Sequence, residues 1–169
     1  MKRLLSIMTL CTLMLTLTAC GGPAAPSGSA SSGTASSGGE ISFDAVYQGI
    51  LDAQENADEL VFFPKESADA IESLYPGLSA LNPVRLQLYL PPVTGYACEI
   101  LLVEVAEGDV DAARAILQAR IDSAAGDTGY PENAVLWQSN AQVQVQGNCL
   151  CLIALPEGYT IPENVLALG

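Results

Sequence analysis

The sequence contains no histidine. That removes the base of Ser-His-Asp and Cys-His catalysis and the commonest ligand of zinc sites. Cations are scarce as well. Lys and Arg together number 6 against 19 Asp and Glu, and the formal net charge is −13. So few scattered cations cannot build a basic patch, which excludes nucleic acid as a partner. The same acidity disfavours direct adhesion to anionic lipid head groups. It reads first as a solubility surface and second as a means of favouring a cationic partner. There is no glycine-rich phosphate loop, and no cofactor is implied. Gly108-Asp109-Val110-Asp111 brings two acids together. It lacks the spaced oxygens and terminal Glu of a calcium loop, so it reads as helix capping, and no metal site is expected. Some pair of carboxylates could sit at glycosidase spacing, but nothing local singles one out.

What is present begins at the N-terminus. Lys2 and Arg3 precede an almost uninterrupted apolar run from Leu4 to Ala19. This is the pattern of an export signal, and the run is too short for a permanent bilayer-spanning helix of about 20 residues. It ends in Leu17-Thr18-Ala19-Cys20, followed by Gly21 and Gly22. That order resembles the lipobox of bacterial lipoproteins. The resemblance implies cleavage before Cys20, a diacylglycerol anchor on the Cys20 sulfur, and often N-acylation by a fatty acid such as palmitate. Two acyl chains suffice for stable anchoring where one does not. The expected location is the extracytoplasmic face of the cell membrane. An ordinary cleaved signal peptide and a short uncleaved anchor are the alternatives.

Removal of residues 1–19 takes away Lys2 and Arg3 and no acid. The mature chain then carries four cations (Lys65, Arg85, Arg114, Arg120) against 19 acids, for a net −15. Residues 20–40 are the anchor cysteine and a Gly/Ser/Ala/Pro linker with no material for a core. Such a linker has an r.m.s. span of about 25 Å and a taut limit near 65–70 Å. Residues 41–169 are enough for one small domain with one core.

Within that domain, Ser42 can cap a helix running to Ala57, with Phe43, Val46, Tyr47, Ile50 and Leu51 on one side. Gly49 weakens it. The run Leu60–Phe63 is stopped by Pro64; Phe62 and Phe63 read as buried, with an exposed contact as the alternative. A second helix is expected over Lys65–Tyr75, ended by Pro76-Gly77. Val84–Leu90 alternates as a half-buried strand. After Pro91-Pro92 and Thr94-Gly95, Tyr96–Val105 is apolar on both faces except at Glu99 and Glu104, as expected of a central strand. Asp109 is a candidate N-cap for a helix over Val110–Ala124. Its buried stripe is Val110, Ala113, Leu117, Ile121 and Ala124, with Arg114 and Arg120 outside it. Gly126 stops that helix. A loop surrounds Tyr130-Pro131, Asn133–Gln138 is ambiguous, and Trp137 reads as a partly buried anchor.

Ala141–Gln146 has strict period two, and Gly147-Asn148 is a hairpin signal. The turn pairs Val145 with Leu150 and Val143 with Leu152 on the core side. It pairs Gln146 with Cys149 and Gln144 with Cys151 on the other side. Pro156–Gly169 reads as a loosely packed tail. The fold class is therefore α+β: a single small domain, with an antiparallel or mixed sheet of about four strands and helices on one face.

The Leu74-Tyr75-Pro76-Gly77 segment, the strand Ala97–Val105 and the helix carrying Ala115-Ile116-Leu117-Gln118-Ala119-Arg120 come before the closing Val145-Gln146-Gly147 hairpin. This order resembles the domain of unknown function 4358 family of Gram-positive lipoproteins. The resemblance supports a tethered single domain and carries no catalytic residues to transfer.

Cys11 leaves with the signal and Cys20 is the lipidation site, so Cys98, Cys149 and Cys151 remain. Cys149 and Cys151 lie on one side of a strand, at the edge of disulfide geometry, and Cys98 could bridge to either only across neighbouring strands. No cation nearby in sequence lowers a thiol pKa. The three read as small, partly buried hydrophobes. The first functional reading is a non-catalytic binding or accessory module of the cell envelope, held at the membrane by its lipid anchor and contacting an envelope protein partner. The second is an envelope hydrolase or thiol-exchange enzyme. The third is a transporter-associated substrate-binding lipoprotein, for which the domain is small.

Overall fold

The computed structural model describes residues 40–65, 67–92 and 97–169. The signal segment, Cys20, the linker as far as residue 39 and the break at Thr94-Gly95 lie outside the described residues. Four α-helices and five strands are present among the described residues: α1 Phe43–Asp52, β1 Phe63–Lys65, α2 Ala68–Leu74, β2 Arg85–Leu90, β3 Glu99–Glu104, α3 Val110–Ala125, α4 Pro131–Ser139, β4 Ala141–Gln146 and β5 Cys149–Ala154. The sheet is antiparallel throughout, in the order β1-β2-β3-β5-β4. The α+β expectation holds, and β3 is the central strand. The fifth strand comes from the Phe63 run, which continues through Pro64 and pairs with β2. Proline is tolerated there because β1 is an edge, where a missing N–H costs no ladder bond.

Helices cover both faces of the sheet. The reason lies in β3 and β5, which are apolar on both sides and must be covered on both. Leu101, Val103, Leu150 and Leu152 pack with α3, α4, Tyr75 and Leu78. Ile100, Leu102, Cys151 and Ile153 pack with α1, Leu60, Phe62 and the C-terminal Val165 and Leu166. Phe62 is buried and Phe63 exposed, as alternation along a strand requires.

The hairpin register is as expected, with Val145 against Leu150 and Gln144 against Cys151. Gly147 has φ 60°, which suits the first residue of its tight turn. Ser42 caps α1 by accepting from the Ala45 N–H at 3.3 Å. Asp109 stands at the start of α3 but its side chain makes no capping bond. A 3₁₀ turn over Glu107–Asp109 feeds directly into the helix and occupies that position. The ambiguous segment is α4, begun by Pro131 at its first turn, and Trp137 is deeply buried.

The tail is the main departure. Pro156–Gly169 is firmly packed: Val165 is fully buried and Leu166 is 2 % exposed. Three amide side chains hold its backbone. Gln54 donates to Thr160 O at 2.9 Å and accepts from Thr160 N at 3.0 Å. Gln144 donates to Pro162 O at 2.8 Å and accepts from Val165 N at 2.8 Å. Asn140 donates to Leu155 O at 2.8 Å and Pro156 O at 3.0 Å. A carboxamide carries two N–H donors beside a carbonyl acceptor, so Gln54 and Gln144 stand in for a neighbouring peptide where no strand continues, and Asn140 serves as a donor alone. The Gln142/Gln144/Gln146 side of β4 is therefore partly taken by the tail.

Candidate functional site

Among the described residues Glu99 is the buried acid, 2 % exposed on the α3 face of β3. A bare carboxylate there would be costly, and the chain supplies partners from two other elements. Arg120 of α3 meets it in a fork, Nη2 to Oε2 at 2.6 Å and Nε to Oε1 at 3.2 Å. Tyr75, fully buried after α2, donates its hydroxyl to Oε1. The Arg120 guanidinium lies 4.7 Å from the Trp137 ring centroid, so the cation is capped by a π-face. Burial first, and then the Glu99 carboxylate, hold the Tyr75 phenol well above its ordinary pKa, so it remains a donor. Arg120 therefore faces inward, not outside the helix stripe as its charge suggested. The spacing Ala113, Leu117, Arg120, Ala124 is the signal that could have found it.

Above this cluster runs a groove of about 450 Å³ between α2 and α3. Its lining includes Leu74, Pro76, Ala115, Ile116, Ala119 and Arg120. Its walls are small and apolar, and its one charged group is already bound to Glu99.

A second polar cluster closes the opposite face at the far end of the sheet. Glu104 accepts from Arg85 Nε and Nη2, each at 2.6 Å, and from Asn148 Nδ2 at 3.0 Å. Arg85 also reaches Glu40 at 3.1 Å and lies 4.6 Å from the Phe43 ring centroid. Cys149 sits beside this pair. Burial and then Glu104 push its thiol up, and Arg85 only partly offsets them.

The three thiols are free and buried. Glu99 is opposite Ala154, so Cys98 lies about 13 Å along the strand from Cys151, at roughly 3.3 Å per residue. That is far beyond disulfide reach. Burial, with Glu99 second, pushes Cys98 up to about 12, and burial alone raises Cys151 strongly. All three are thiols rather than thiolates at neutral pH. Among the described residues no group of three or more Cys, Asp or Glu is placed to hold a metal ion. Asp109 and Asp111 lie at the start of α3. No helix of the described residues is long and apolar enough to cross a membrane. Cys20, the predicted lipidation site, lies outside the described residues.

No family model, no curated protein and no solved structure matches the chain. The resemblance drawn from the order of elements therefore rests on the residues quoted for it.

Proposed function

We propose that the chain is a bacterial lipoprotein, tethered through Cys20 to the outer side of the cell membrane, whose α+β domain serves as a non-catalytic binding or accessory module of the envelope. The observation that carries the non-catalytic part is the commitment of the buried reactive groups to structure. Glu99 is held by Arg120 and Tyr75, Glu104 by Arg85 and Asn148. The thiols are kept protonated by burial. A nucleophile or general base needs a free, poised group, and these are not poised. The lipobox Leu17-Thr18-Ala19-Cys20 supports the tether.

The tether is tested by growing cells on an alkyne-bearing palmitate and probing the protein for label. Label on the native chain and none on Cys20→Ala is the expected result; an unlabelled native chain removes the lipoprotein reading. The module is tested by crosslinking in intact cells, with and without Cys20→Ala. A defined envelope partner that is lost with the anchor supports it. Rapid iodoacetamide labelling of the native thiols at pH 7 would instead favour the thiol-exchange reading.

A further inference from the structure

The sheet ends in two very different edges. β1 is three residues long and contains Pro64. β4 is six residues long, Ala-Gln-Val-Gln-Val-Gln, and none of its residues is buried, while every residue of its neighbour β5 is. Exposed edges are normally blunted by a charge, a proline or a bulge, because their free N–H and C=O groups recruit another strand. β4 has no charge and no proline, and its register with β5 runs without interruption.

The hairpin fixes which backbone groups are free. Leu155 N donates to Asn140 O, and the pairs step by two from there, so Gln142, Gln144 and Gln146 turn their backbone groups toward β5. Ala141, Val143 and Val145 turn theirs outward. Among the described residues no backbone hydrogen bond reaches them.

We propose that β4 pairs antiparallel with β4 of a second copy of this chain, about a two-fold axis at Val143. Ala141, Val143 and Val145 then face Val145, Val143 and Ala141 of the partner copy. Each pair exchanges both of its hydrogen bonds, and the sheet runs continuously through both copies. The outward set is symmetric about its middle residue, so the edge is complementary to itself. Val145, 39 % exposed, gains an apolar neighbour on the α3 side.

Charge selects this edge for a second copy. A strongly acidic chain repels its own kind over about 8–10 Å at moderate ionic strength. Yet no charged residue lies between Glu132 and Glu157, the stretch that contains β4 and β5. Two copies can therefore pair here with no charged side chain on β4 or β5 themselves; the nearest acid the hydrogen bonds bring to β4 is the exposed Glu163 of the tail, between Pro162 and Val165. The remaining long-range repulsion makes the association stronger at high salt. The pairing does not depend on the lipid tether, although confinement on a membrane would raise its population.

Single cysteines placed in the full-length chain in cell membranes test the register. Under mild oxidation Val143→Cys is expected to give a disulfide-linked dimer by itself. Ala141→Cys and Val145→Cys should give one mainly when co-expressed. The same experiment in a Cys20→Ala background separates this proposal from the tether. Sedimentation of the chain beginning at residue 20, in detergent, should show dimers rising severalfold in population from 20 to 500 mM salt as an estimate of screening. Val145→Glu should abolish them while leaving the circular dichroism and melting curve nearly unchanged, since that side chain is exposed. A folded monomer at all salts, crosslinks that ignore register, or Val143→Cys joined only to a different protein would each overturn the proposal.

Discussion

The two faces of the sheet are closed by different means. One face carries α3, a long regular helix, and is interrupted by the polar Glu99–Arg120–Tyr75 cluster capped by Trp137. The other carries the shorter α1 and an irregular tail, held by carboxamides at Gln54, Asn140 and Gln144, and it contains all three thiols. A helix satisfies its own backbone, so it needs only an apolar stripe to cover a sheet. An irregular segment does not, so each buried stretch of it must find donors and acceptors in neighbouring side chains. The difference teaches where side-chain chemistry is structural in this domain: one charge cluster under the long helix, and on the other face a row of amides under the tail with the Arg85–Glu104 pair beside α1.

Removing the tail should break the comparison most severely. A chain ending at Leu155 uncovers Ile153, Cys151 and Leu102 and takes away Val165 and Leu166. Burial of those two side chains alone is worth about 1.5–3 kcal/mol each. With the amide bonds added, the loss approaches the roughly 5–15 kcal/mol that a whole domain has. The expected outcome is an unfolded or molten chain by near-UV circular dichroism and proteolysis. A truncated domain that still melts cooperatively would mean that the tail face is dispensable.

On the α3 face the largest single effect belongs to Arg120→Met. It leaves the Glu99 carboxylate buried against Tyr75 without its cation, and should cost about 3–5 kcal/mol in urea unfolding at pH 7. The pair Glu99→Gln with Arg120→Met should recover much of that, because no bare charge remains. If the double variant is as unstable as the single one, Arg120 acts through its packing on Trp137 and not through the ion pair.

Alkaline pH separates the faces by titration. Cys98, Cys149 and Cys151 have folded pKa values raised above those of the unfolded chain. Their stabilisation is complete below the unfolded thiol value of about 8.5 and is lost as pH rises toward the folded values. Each fully buried thiol contributes a slope of at most about 1.4 kcal/mol per pH unit. Tyr75 is raised in the same sense but starts from about 10. Loss between roughly pH 8.5 and 10 therefore belongs to the tail face, and the α3 face joins only above that. Cys151→Ala should flatten the curve in a melting series from about pH 8.5 upward, because burial keeps the native thiol protonated beyond pH 10, whereas Tyr75→Phe should flatten only the part above about pH 10.

This division also explains what could be read from the chain beforehand. Regular elements with a face were legible: the stripe of α3, the two-sided apolar β3, and the hairpin register from Gly147-Asn148. Glu99 and Arg120 were visible as exceptions but not as partners, because their meeting is set by how α3 crosses β3. The tail was illegible for a different reason. Its two prolines and lack of period mark it as irregular, and nothing local shows that Gln144, in an apparently solvent-facing row, would bind Pro162 and Val165. The open edge of β4 was written in the sequence as alternation without charge, but its position at the end of the sheet depends on β5 lying between it and β3.

The smallest effect tests how tightly the tail seats on α1. Gly49 looked like a weakness in that helix, since alanine is normally better there by about 1 kcal/mol. A Cβ at Gly49 would stand 2.9 Å from the Leu168 Cβ, closer than real carbons approach. Gly49 is thus the place where the tail, in its final 3₁₀ turn Val165–Leu168, crosses the helix. Leu168 is partly exposed, so the turn can yield at modest cost. Gly49→Ala alone should then lower stability by about 1 kcal/mol or less, the clash outweighing the propensity. In a Leu168→Gly background the obstruction is gone and the same substitution should raise stability by about 1 kcal/mol. That change of sign, measured by urea unfolding of the four variants of the cycle, is the diagnostic result. A stabilising Gly49→Ala in the native background would show that the tail lies farther from α1 than this packing requires.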